Sequence, residues 1–151
     1  MLKSKRFAPI QEIASSSADQ LSRAMADAGL KVTELERQRQ QLTSYRGEYA
    51  RRSEACGAMD AVKLQNYRSF LDRLGDGLRQ NSKKLDAARA EYEKRRAAWS
   101  EKRAEAEGLS RLVDRCRRDE QQAADRREQR DGDEAALTAH RLARDLLIPR
   151  A

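Results

Sequence analysis

At 151 residues the chain is long enough for one ordinary domain, but 38% of its side chains are charged and only seven are aromatic, too few large apolar groups to fill a round core. The +7 net charge comes from 32 basic residues interleaved with 25 acidic ones, the mixture of a solvated helix face rather than of a nucleic-acid groove. No run approaches the ~20 apolar residues of a membrane span, and the mean hydropathy of -0.98 leaves disorder or a coiled coil as the alternatives that periodicity must separate.

The N-terminus, Met1 to Arg6, is basic and lacks the apolar run of a signal peptide, so a cytoplasmic location is expected. A first helix is predicted over about residues 9–56, opening near Pro9, whose fixed φ and missing N–H suit a first turn. Phe7, Ala14, Leu21, Ala28, Leu35, Leu42, Tyr49 and Cys56 form an apolar row at heptad spacing, joined by Ala24, Met25, Val32 and Tyr45 on the same side. This periodicity decides for a coiled coil.

Residues 57–60, Gly57-Ala58-Met59-Asp60, break the row and are the predicted turn. Asp60 is a fair N-cap for a second helix from Ala61, its carboxylate accepting from free backbone N–H groups. That helix, over about residues 61–130, carries a second heptad row: Leu64, Leu71, Leu78, Leu85, Tyr92, Trp99, Ala106 and Val113. The fold class is therefore all-α, a long antiparallel two-helix coiled-coil hairpin in a single domain. Its monomer is favoured over a dimer that would use the same seam. Beyond Ala124 the seam vanishes, and Gly132 separates a short, weakly ordered C-terminal helix over about residues 133–148, too short to be stable alone.

In such a hairpin residue numbers facing each other add to about 120, which puts Cys116 near Lys3 and leaves Cys56 beside the turn. At 1.5 Å per residue the two thiols lie on the order of 75 Å apart, far beyond the ~7 Å reach of a disulfide.

No chemistry of a catalytic kind is legible. With one histidine and two distant cysteines there is no zinc set and no Cys–His dyad, and none of the seven glycines forms a phosphate loop. No enzyme activity, cofactor or metal is expected.

Most of the aromatics gather near the turn. Tyr45, Tyr49 and Tyr67 occupy seam positions and suit a core, whereas Phe70 precedes the seam residue Leu71 and sits on the shoulder, where a coiled coil carries charge and where a partner would find an anchor.

At these residues the chain resembles the FliJ family of flagellar type III export proteins. The family pattern at the end of the first arm is matched by Gln38, Leu42, Tyr45 and Glu48-Tyr49, and an Asn-Tyr-x-x-Phe-x-x-x-Leu run opening the second arm by Asn66, Tyr67, Phe70 and Leu74. The resemblance implies a small cytoplasmic component of the export apparatus, peripheral to the inner membrane through the export gate. It implies a coiled-coil stalk seated in the hexameric export ATPase ring by the end with both termini, offering its other end to the cytoplasmic linker of the gate. It further implies promotion of ATPase assembly and activity, and binding of export chaperones. Phe70 and Leu74 match positions that contact the gate; Gln38, Leu42, Tyr45 and Tyr49 match a shared partner surface. Gly77 and Asn81 depart from the family pattern on the gate-contacting face, which leaves its extent open. The equivalent stalk of a virulence secretion system, a generic coiled-coil adaptor or homodimer, and a basic nucleic-acid binder are the alternatives, the last disfavoured by the mixed charge.

Overall fold

The structure, a computed structural model, describes residues 2–55, 57 and 60–148. Two helices account for nearly all of them: α1, Lys3–Ala55, and α2, Ala61–Leu147. Between them Gly57 has a φ of 70°, a left-handed conformation that costs glycine nothing and other residues a clash of Cβ with the backbone. Asp60 caps α2: its Oδ1 accepts from the Lys63 N–H at 2.8 Å, and its carbonyl accepts from the Leu64 N–H at 3.0 Å. Cys56, Ala58 and Met59 of the expected turn region lie outside the described residues. Cys116 is a half-buried free thiol.

The chain divides into two compact units, Ser16–Arg103 and Met1–Ser15 with Ala104–Ala151. Within Ser16–Arg103 the helices pair antiparallel. Gly29 lies against the Tyr92 ring, Leu42 against Gly77 and Tyr49 against Phe70, each step forward along α1 being a step back along α2. The two heptad rows face one another and are half-buried along most of their length, with Leu85 reaching 1% exposure. A Cβ at Gly29 would sit 3.4 Å from Cε2 of the Tyr92 ring, an ordinary van der Waals contact, so the ring packs directly on the α1 backbone without requiring glycine there.

Asn81 is the polar exception in this seam. It is 5% exposed, and its Nδ2 donates to the Leu35 carbonyl of α1 at 3.2 Å while its Oδ1 is buried and accepts from no described residue. Across the same helices Arg89 meets Glu36 at 3.0 Å, both half-exposed, an ion pair worth little in solvent.

In the unit made of Met1–Ser15 and Ala104–Ala151, Ala14 and Val113 are buried and Ser4 is tied to Glu120. The Ser4 N–H donates to Glu120 Oε1 at 2.9 Å and the Ser4 hydroxyl to Oε2 at 2.5 Å. This pairing corrects the expected helix start. α1 begins at Lys3 rather than near Pro9, because a carboxylate from α2 satisfies free N–H groups of its first turn and lies at the positive end of its dipole. Pro9 falls inside the helix, removing one backbone bond without ending it.

The C-terminal region is also corrected. Instead of a second arm ending near residue 130 and a short, weakly ordered helix over 133–148, α2 runs without a break through Gly132 to Leu147. A single glycine costs a helix about 1 kcal/mol against alanine, less than the surrounding alanines, arginines and glutamates supply. From Gln121 to Ile148 every described residue is exposed.

Candidate partner-binding site

The residues singled out near the turn divide by exposure. Tyr49 is the centre of an aromatic layer: its ring stacks on Tyr67 with centroids 5.1 Å apart and planes 13° from parallel, and meets Phe70 at 4.3 Å, tilted by 48°. Such pairs add about 0.5–1.5 kcal/mol beyond the area they bury. Tyr49 and Tyr67 are half-buried, as their seam positions predict.

Of the remaining two rings, Tyr45 departs from its expected place in the core. Phe70, read as a shoulder residue, joins the seam through Tyr49 yet keeps 38% of its surface in solvent. Tyr45, read as a seam residue suited to the core, is 61% exposed. Leu42 over Gly77 and the Tyr49 layer occupy the seam on either side of it, so the Tyr45 ring is left outside. Leu42 and Leu74 are half-buried.

Gln38 is exposed and donates to Glu34 Oε1 at 3.2 Å. Glu34 also accepts two bonds from the Arg37 guanidinium, at 3.1 and 2.8 Å, and the Arg37 contact above all, with Gln38 next, holds its carboxyl below the usual range. Of the two positions that depart from the family pattern, Asn81 is spent on α1 and Gly77 faces Leu42, so neither offers a side chain to a partner.

Charge distinguishes this end of the chain. Residues 37–84 hold eleven Lys and Arg against five Asp and Glu, which is six of the seven net positive charges. Part of that excess lines a groove between the helices with a volume of about 600 Å³, walled by Arg39, Thr43 and Arg46 from α1 and by Leu71, Leu78 and Arg79 from α2. At 100° per residue, Tyr45 lies well round the helix from Arg46, and Phe70 from Leu71, so the aromatic and the arginine residues fall on opposite flanks of the seam. Sequence reasoning treated these arginines as ordinary solvated charge. The signal it passed over is that Arg39 and Arg46 stand seven apart and so share a face.

Among the described residues no group of three or more His, Cys, Asp or Glu could hold a metal ion, and no helix is long and apolar enough to cross a membrane. The site as built presents exposed rings on one flank of the seam and guanidinium groups on the other.

No curated protein and no solved structure matches the chain. The family model described as flagellar FliJ protein matches residues 3–145, which takes in both helices almost from end to end. With its two heptad rows paired antiparallel and that match spanning nearly the whole sequence, this all-α coiled-coil chain belongs to the flagellar FliJ protein family.

Proposed function

We propose that the chain is a non-enzymatic stalk of the flagellar type III export apparatus. In this reading it joins the hexameric export ATPase to the cytoplasmic linker of the export gate, promotes assembly and activity of the ATPase, and binds export chaperones. It acts as a monomer, peripheral to the inner membrane through its gate contact. The observation that carries the reading is the family match over residues 3–145. The exposure of Tyr45 and Phe70 agrees with it, since rings left 61% and 38% in solvent beside a packed aromatic layer are the kind of anchor that partners bury.

The test is binding of the purified gate linker, and separately of an export chaperone, to the protein and its variants. Phe70→Ala and Leu74→Ala are expected to weaken gate binding by about tenfold or more, the scale of an interface anchor. Tyr45→Ala, which disturbs no seam contact, is expected to weaken chaperone binding with unchanged helicity and melting. Unaltered affinity for both partners across the three variants, with helicity intact, would remove these residues from the site.

A further inference from the structure

We propose that the groove between Arg39–Arg46 of α1 and Leu71–Arg79 of α2 is a second binding seat, separate from the aromatic flank, that takes an acidic amphipathic helix of a partner protein. The groove is built as a repeat. Arg39 and Arg46 lie two helical turns apart on α1, about 10 Å, and Leu71 and Leu78 lie two turns apart on α2. Because the helices run antiparallel, Arg46 falls at the level of Leu71 and Arg39 at the level of Leu78, so each level offers one guanidinium and one aliphatic side chain. A third helix laid into this groove would meet the pattern with a carboxylate and an apolar residue repeated at heptad spacing.

The chemistry at each position fits that occupant. Arg39 and Arg46 have no carboxylate partner among the described residues, so their planar forks are available for bidentate bonds to a carboxylate. Arg79 is already engaged by Asp76 and lies over Gly75, where a Cβ would stand 3.7 Å from its Nη1, so it acts as a wall rather than as a free ligand. Leu71 and Leu78 are half-buried, leaving an apolar strip for the partner's aliphatic side chains. Asp72 also lines the groove and repels an anion, which limits how much carboxylate the Leu71 end accepts.

A partner is favoured over a second copy of this chain. The chain's own exposed helix holds six acidic and five basic residues between Asp125 and Asp145, no complement to a basic groove. A lipid headgroup or a nucleic-acid strand would use the guanidinium groups but leave Leu71 and Leu78 without a counterpart.

The experiment uses the full chain and a fluorescent peptide of about ten residues, long enough to cover two to three turns, with glutamates at heptad spacing beside leucines. Binding is expected to weaken about tenfold or more in Arg39→Gln/Arg46→Gln, and by about twofold at most in Lys63→Gln/Lys83→Gln, which removes the same charge from the same end of the chain. A peptide with its leucines changed to serine is expected to bind several-fold more weakly. Equal losses in the two double variants would reduce the effect to diffuse charge and overturn the seat. So would tighter binding of anionic vesicles or of single-stranded DNA than of the peptide, or a self-association of the chain abolished by Arg39→Gln/Arg46→Gln. Circular dichroism of each variant checks that the exposed substitutions leave the hairpin folded. Since the readout is a synthetic peptide, its failure leaves the gate and chaperone reading untouched.

Discussion

Two stretches of α2 are equally helical and differently held. Around Leu85 the helix has a partner: Leu85 is 1% exposed and Asn81 5%, with a side-chain bond from Asn81 to the backbone of α1. Over residues 121–148 every described residue is exposed, and Leu142, Leu146 and Leu147 keep 60%, 86% and 81% of their surface in solvent. What sustains this second stretch is local. Gln121 donates to Asp125 at 2.8 Å, Arg130 reaches the Arg126 carbonyl at 3.2 Å, and Thr138 bonds the Glu134 carbonyl at 2.9 Å. Helix formation and burial are thus separate achievements here: composition suffices for the first, and the second needs an apolar residue every seventh place facing another row.

The largest test of this contrast is truncation of equivalent side chains. Leu85→Ala is expected to lower stability by about 2–5 kcal/mol in urea unfolding, the cost of an emptied core position. Leu142→Ala is expected to change it by about 0.5 kcal/mol at most. Similar losses at the two positions would erase the distinction. A smaller effect sharpens it: Gly132→Ala adds about 1 kcal/mol of helix propensity where nothing else depends on it. Slower amide exchange confined to residues near 132, with an unchanged main melting midpoint, is the expected readout.

The smallest effect concerns acid. The Ser4 hydroxyl, and after it the Ser4 N–H, hold the Glu120 carboxyl below its usual range. A carboxylate whose pKa is lowered by folding contributes stability above its unfolded value, about 4.3, and loses that contribution as pH falls through the lower folded value. Melting midpoints followed from pH 6 downward should therefore drop less steeply in Ser4→Ala than in the parent chain. Parallel curves would mean the contact adds no pH dependence.

The paired part of the fold was legible because its cause is repetitive. Leu35, Leu42, Leu71, Leu78 and Leu85 announce two faces that must meet, and Gly57 with the Asp60 cap marks where the chain reverses. Even the pairing level was readable, since Ser4 meets Glu120 within about one helical turn of the expected register. What escaped were features decided by a distant residue or by a margin. Glu120 sets the start of α1 from the other arm, overriding the local signal of Pro9. Gly132 looks like a break, yet its cost is smaller than the propensity around it. At the candidate site, heptad counting put Tyr45 inside, whereas the Tyr49 layer leaves it outside. Ring size and local crowding settle such matters, and neither has a period.

The contacts across the seam have a further bearing on how this chain can change. The amide nitrogen of Asn81 reaches one backbone carbonyl, that of Leu35, while its oxygen accepts from no described residue. Because a backbone carbonyl recurs at every residue, sliding one arm by a heptad would bring the amide an equivalent acceptor, so Asn81 does not hold the register; the pairs of Gly29 with Tyr92 and Tyr49 with Phe70 do. Lengthening one arm alone between the Gly29–Tyr92 pair and the turn would separate such partners, whereas an equal lengthening of both arms would keep them together.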